Sequence, residues 1–552
     1  MHNTKGSILV ITMGFALIFT MLGSASIYMS TLQNETQTRQ ILSQKTFWLT
    51  EAGLAHASWA LRSKINNDLK DAIETDDPTL VNNNMLGYFN KQLPANLLSV
   101  YGSFITSGTR LILNINSTGP IDLGDSIQGN YLATITISPQ ALPKNPTYSP
   151  STNAYTFFYQ YSITATANLL NIGGQKTINL NNGSFSITVQ RDNFAKYALF
   201  TNHNTMPSVG TVWFTGNTNF DGPIHTNDRF SFANNPSGHF TGEVTQHEVT
   251  ARFYNNGSPV LLDADRNGNR DVPIFDKGFK RGQPVISVPA STSQQYMKGR
   301  ALGSTTEPTS NGVYLPNNGH NVVGGIFIKG DSTVSMTVVG QNSVYTITQG
   351  SNTKTITVNY GNNTTTIGTT TYSGIPDGQA NTGAGALIYS SNQITGFSGT
   401  VQKDSQVTVA SESDLVISNN IKYEKDPTIA GNENYANLLG IISWNGDVRI
   451  STSAPNNITI QGVVMAPNGV FTVDNYDRGG YRGVATLLGG AIADSYGAFG
   501  TFDGDTVSTG YGRNFIYDTR MSQGHSPLYS PYMPNFTTIS NGIGSGLTWQ
   551  QG

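Results

Sequence analysis

The chain has 552 residues, a formal net charge of −3 and no cysteine. Disulfides, cysteine zinc sites and cysteine nucleophiles are excluded, and the lack of a basic cluster argues against a dedicated nucleic-acid surface. Charged residues make up 12% of the chain, about half the usual share, while 59 glycines with many Asn, Thr and Ser suit exposed β structure, and 25 Tyr and 25 Phe supply enough apolar surface to fold.

The first six residues, MHNTKG, form a short basic leader. An uncharged apolar run, Ser7 to Leu32, follows at once and includes Ile8, Leu9, Val10, Ile11, Phe15, Leu17, Ile18, Phe19 and Leu22. About 20 apolar residues span a bilayer, and His2 and Lys5 favour a cytoplasmic N-terminus. The chain beyond about Asn34 is then expected outside the membrane. A cut between Gly6 and Ser7 would keep the apolar segment; a cut near Gly23-Ser24-Ala25 would remove it as an ordinary signal peptide. Gln33 to Ile65 lacks proline and has a single glycine, Gly53. Ile41, Trp48, Ala52, Ala55 and Trp59 fall on one helical stripe, so residues 7–65 read as one continuous helix. A simple anchor followed by a coiled spacer is the competing reading.

The segment GSILVITMGFALIFTM…FWLTEAGLAHASWAL (Gly6–Leu61) resembles the N-terminal region of PilX-type minor pilins. The resemblance implies cleavage at Gly6–Ser7 by a prepilin peptidase and a helix that serves as membrane anchor and filament core. It also implies partners among other pilins and the pilus assembly machinery. In major pilins the fifth residue after the cut is a glutamate thought to pair with a neighbour's N-terminal amine. Here that place holds Ile11. A carboxylate within the membrane is costly and persists only with a partner, so the resemblance implies a subunit at the filament tip or one that primes assembly.

Asn66–Asn96 is polar and mildly acidic and reads as short helices and loops. From Tyr101 to Arg191, RLILNINS, NYLATITISP, FFYQYSITATANL, KTINL and FSITVQ alternate apolar and polar residues and read as strands parted by turns. Helix followed by strands is the order of a pilin-like α+β headpiece, placed at 66–190. FAKYALF (Phe194–Phe200) reads as a short helix or linker.

Residues 191–552 have another texture. Short apolar bursts such as VVGGIFIKGDSTV, DLVISNNI and LLGIISWNGDVRI end in Gly, Asn or Asp, at spacings near those of stacked coils. A β-solenoid is expected, since one coil cannot bury its apolar face alone; a jelly-roll or sandwich is the alternative. Val334–Tyr372 is Thr-rich and alternating, a β-ribbon insertion at 334–372. VWFTGNTNFDGPIHTNDRFSF, NLLGIISWNGDVRI and GYGRNFIYDTRM resemble blocks of a bacterial domain of unknown function, DUF4900, over roughly Lys196–Pro534. That family implies an exported surface protein and no mechanism. The expected fold is mainly β with a long N-terminal α-helix: a pilin-like headpiece, then a β-solenoid-like domain.

Asp263, Asp265, Asn267, Asn269 and Asp271 put oxygens at loop positions 1, 3, 5, 7 and 9 around Gly268, the pattern of an extracellular Ca²⁺ loop. Position 12 is Ile274, so the bidentate glutamate is missing, and an Asx-type turn explains the same residues. His225, between Asp221 and Asp228, could be a general base; without a second ligand nearby it reads better as an internal ladder residue. Asp474, Asp477, Asp494, Asp503 and Asp505 could in principle form a glycosidase pair, but in Gly-rich turns they read as turn formers. The late aromatics, Tyr476 to Tyr532, read as a cap on an open solenoid end. No GxSxG, HExxH or P-loop appears, and no enzyme is expected. The expected function is a minor-pilin-like structural subunit at the cytoplasmic membrane and cell surface. The alternative is a membrane-tethered protein that binds or degrades polysaccharide.

Overall fold

The computed structural model describes residues 5–62, 104–107, 110–141, 147–149, 154–206, 210–216, 218–233, 238–255, 258–263, 272–289, 291–378, 385–503, 506–543 and 548–551. It is mainly β with one long N-terminal helix and divides into two units. Met1–Gln190 with Asn535–Gly552 makes the first, and Arg191–Pro534 the second.

Helix α1 runs over Lys5–Ala60, 56 residues without a proline, so about 84 Å at the usual rise. Its apolar run is exposed on every side, with Val10 at 71% and Phe19 at 70%. It is long and apolar enough to cross a membrane. The last four turns bury Thr46, Leu49, Thr50, Leu54, Ala57 and Ala60, which recur every three or four residues with Leu49 and Thr50 side by side, and hence share one face.

That face is not the stripe expected from periodicity. Ile41, Trp48 and Trp59 stay 47%, 67% and 54% exposed, and Ala52 and Ala55 are exposed with them. The reason is close approach. A side chain at Gly53 would stand 2.9 Å from the Tyr131 ring, so the helix lies on the sheet through Gly53, Ala57 and Ala60 with Leu49 and Leu54 beside them, and leaves its tryptophans outside. Asn66–Asn96, read as short helices and loops, lies outside the described residues.

The sheet of the first unit contains β1 (Phe104–Ser107), β2 (Arg110–Asn116), β3 (Ile121–Asp122), β4 (Gln128–Pro139), β5 (Thr147–Ser149), β6 (Ala154–Leu170) and β7 (Gln175–Asn193). Their order is β1-β2-β4-β6-β7, with β3 on β4 and β5 on β6. Alternate residues of β6, from Phe157 through Ile163 to Leu169, are all buried, the period-2 signature of a one-sided sheet. Leu54 and Ala57 of α1 share this core with Leu113, Ile135, Phe157, Ile163 and Ile178.

KTINL and FSITVQ, read as two strands, are one strand, β7. The Asn181-Asn182-Gly183 break is a bulge opposite Tyr161–Ile163. Asn182 takes φ 61° there, and a side chain at Gly183 would strike the Tyr161 ring.

The C-terminal strands Tyr532–Ile543 and Thr548–Gln551 also pair with β7. Residues 191–552 therefore do not form one domain, because Asn535–Gly552 joins the first unit. The physical cause is the open edge of β7, whose unpaired backbone groups need a partner strand. The second unit is inserted between two neighbouring strands of the first unit's sheet.

The second unit is a stack of parallel coils. One ladder of paired residues runs Phe279, Val244, Ile224, Leu199, Ala491, Val464, Ile441, Val409, Ile388, Ile326. Every rung is apolar and buried. A second ladder joins Val334, Phe397, Ile417, Ile450 and Val473, buried as well. The long step from Ile326 to Ile388 holds an antiparallel meander, Ser332–Ser373, which presents Thr346, Thr348, Thr355 and Thr366 on one face and Tyr345, Ile347 and Ile356 on the other.

The chain enters this stack in the middle, at β8 (Leu199–His203). It winds outward to Phe279, starts again at Ile326 on the far side, and winds back until Tyr481–Tyr496 pairs with β8.

Candidate functional site

Gly6 and Ser7 fall in the first turn of α1. The apolar run after them is exposed throughout, with Ile8 64%, Leu9 65%, Ile11 53%, Phe15 57%, Leu17 53%, Ile18 53% and Leu22 60%.

The Ca²⁺ expectation falls largely outside the described residues. Asp263 is exposed, and Asp265, Asn267, Asn269 and Asp271 are not described. Among the described residues no group of three or more His, Asp or Glu is arranged to hold a metal ion.

His225 is a ladder residue, paired with Phe200 on one side and Thr245 on the other. It is 1% exposed. Its Nδ1 is 2.8 Å from the Thr245 hydroxyl and its Nε2 3.0 Å from Asn227 Oδ1, and its ring stacks on Phe200 at 5.5 Å. Burial pushes its pKa down to about 4, the Asn227 contact opposing and the charges of Lys196 and His247 adding to the fall. Asp221 and Asp228 are engaged elsewhere, by the amides of Tyr517 (2.6 Å) and Asn204 (2.9 Å). Among the described residues no acid is placed to work with the imidazole, and the site has the chemistry of a satisfied core histidine.

Three of the five late carboxylates do meet. Asp474, Asp477 and Asp494, with Asp447, line a cavity of about 500 Å³. Asp503 is exposed and Asp505 is not described. Arg449 ties Asp474 (2.9 Å) to Asp414 (3.0 Å), Asp447 accepts the Val470 amide at 2.9 Å, and Asn202 donates to Asp494 at 2.9 Å. Three of these acids thus hold coil to coil.

Three of the late aromatics, Tyr496, Phe499 and Phe515, occupy the middle of the stack and not an open end, whereas Tyr529 meets Tyr296 beside the terminal coil. Tyr496 meets Phe214 at 5.4 Å, Phe515 meets Phe220 at 5.9 Å and Phe499 at 5.5 Å. They join the last coil to the first, because the chain's end and beginning meet at the β8 seam.

Two features carry no sequence signal. Asp518 and Arg520 form a buried ion pair at 2.6 Å, and Arg520 also donates to the Tyr435 carbonyl at 2.8 Å. This pins the C-terminal segment along the coils. The other is a second cavity of about 380 Å³ at the seam, lined by Phe220, Asp221, His239, Thr241, Arg513 and Phe515 among others. Arg513 stacks over the Tyr496 ring at 5.1 Å, and burial lowers its pKa to about 10. Burial raises that of Asp221.

Comparison with known proteins gives one family. The chain matches DUF4900, a domain of unknown function, over residues 155–248. This differs from the stretch read by resemblance, Lys196–Pro534: the match begins within β6, includes β7, and stops at Glu248 in the outward coils. No curated protein matches. Among solved structures, the crystal structure of the competence-associated pilin ComZ from Thermus thermophilus is similar at 13% identity and a TM-score of 0.30, over 92% of this chain and 98% of that one.

Proposed function

We propose that this chain is a PilX-type minor-pilin-like subunit of a type IV pilus or related filament, with its β-rich units displayed at or near the tip. The observation that carries the reading is α1. Its first half is apolar and exposed on every side, while its last turns are packed on an antiparallel sheet. A helix built this way has one end for a membrane or a bundle of like helices and one end for its own head. The partners are other pilins, a prepilin peptidase acting at Gly6–Ser7, and the pilus assembly machinery, with the N-terminus on the cytoplasmic side.

Ile11 supports the tip position. A subunit with nothing above it has no amine to pair, and an unpaired carboxylate there would be disfavoured by roughly 2.5–3.5 kcal/mol on insertion scales for a central Asp. Mass spectrometry of the mature chain tests the proposal: the N-terminus should be Ser7, and a start near Ser26 overturns it. Labelled heads on isolated filaments should sit at the ends. Dense decoration along the shaft overturns the tip assignment alone.

A further inference from the structure

Arg513 is an arginine that the fold sets in a cavity wall without an acid to pair it. Arg449 has Asp414 and Asp474, and Arg520 has Asp518. Among the described residues Arg513 makes neither an ion pair nor a hydrogen bond, and its guanidinium meets only the ring of Tyr496, itself 4% exposed. A guanidinium that lines a cavity with no counter-charge beside it is free to take an anionic group from solution. Arg513 borders the seam cavity of about 380 Å³, large enough for one sugar ring.

The rest of the lining narrows the ligand. His239 is already held by Asp276, with Nε2 2.9 Å from its Oδ1, so Arg513 is the lining cation available to an anion. Asp221 is the lining acid, one oxygen taken by the Tyr517 amide. A phosphate dianion would face this acid, whereas a hydroxyl could donate to its other oxygen. Thr241 and Asn514 add neutral hydrogen-bonding groups, and Phe220 and Phe515 add an apolar wall. A guanidinium recognises a carboxylate through two parallel hydrogen bonds, and pockets of this kind combine an apolar wall with a few placed polar groups.

We propose that this cavity binds a hexuronate, its carboxylate on the Arg513 guanidinium and its hydroxyls toward Asp221, Thr241 and Asn514. The assignment goes beyond the pilus reading and does not depend on it.

The test is calorimetric titration of the full-length protein in detergent with D-galacturonate, its methyl ester, D-galactose and acetate. Galacturonate should bind at least tenfold more tightly than the other three. Arg513→Gln should bring galacturonate to the level of galactose, and Arg513→Lys, which keeps the charge but loses the fork, should fall between. Without ligand, Arg513→Gln should melt close to the wild type, because the side chain gives up neither an ion pair nor a hydrogen bond. Equal binding of galacturonate and its methyl ester overturns the proposal, and this comparison needs no variant. Acetate binding as tightly as galacturonate overturns the sugar assignment, and unchanged binding by Arg513→Gln overturns the site.

Discussion

At the scale of single residues, His225 shows how burial reverses the chemistry a motif advertises. Asp-Gly-Pro-Ile-His-Thr-Asn-Asp surrounds an imidazole with acids, yet the coil geometry turns the ring onto Phe200 and gives its nitrogens to Thr245 and Asn227. The folded pKa is near 4 against an ordinary 6.5. Above pH 6.5 the ring is neutral folded or unfolded, and stability is unaffected. As pH falls below 6.5 the unfolded chain takes the proton first, so stability drains away down to about pH 4, by about 3 kcal/mol at most. Urea midpoints of the full-length protein should therefore fall between pH 7 and pH 4.5, and His225→Gln should flatten that slope relative to the wild type. Parallel profiles would show that the ring is not the group responsible. The ladder role was legible in the sequence because the turn residues around His225 are ordinary ones. The Asp518–Arg520 pair was not, because its partners Tyr435 and Asn437 are distant in sequence and only the fold brings them near.

At the scale of elements, α1 separates what periodicity can and cannot say. The absence of proline and the run of helix formers mark the helix, but which face meets the sheet depends on how closely the two backbones approach. Hydrophobic weight favours the Trp48–Trp59 stripe, whereas close approach selects Gly53, Ala57 and Ala60. The two faces make opposite predictions. Trp48→Ser should change the stability of the first unit by less than about 0.5 kcal/mol, as exposed substitutions do. Ala57→Leu should cost about 1–3 kcal/mol, because Ala57 is 0% exposed and has no room for three more carbons. Urea unfolding followed by hydrogen exchange of β6 amides measures both. A larger loss from Trp48→Ser than from Ala57→Leu would mean that the helix packs through its tryptophans after all. The same limit applies to β7. An Asn-Asn-Gly triplet reads equally as a turn or a bulge, and only the register against Tyr161 decides.

At the scale of the whole molecule, the stacked coils were legible because each apolar burst supplies one rung, Ile388, Val409, Ile441 and Val464 among them. The order of the coils was not, since nothing in Leu199 marks it as the partner of Ala491, nearly three hundred positions later. The insertion was hidden for the same reason, as Tyr532–Ile543 looks like any other strand until β7 offers its edge. Yet the two ends of the inserted segment meet. The Phe194 amide donates to the Pro531 carbonyl at 3.2 Å, and Asn193 donates to the Ser530 carbonyl at 3.0 Å. Strands this close are normally joined by a loop of about 2–5 residues. Replacing Phe194–Ser530 with a four-residue Gly/Ser loop (about the usual hairpin length) should therefore leave the first unit folded, with β6 amides still protected from exchange. Deleting Asn535–Gly552 should do the opposite. It would uncover a long strand edge, and β7 should lose protection and the protein should aggregate. If the excised chain unfolds while the truncated one stays folded, the C-terminal strands do not complete this sheet, and the second unit is no insertion but a support on which the helix and its sheet depend.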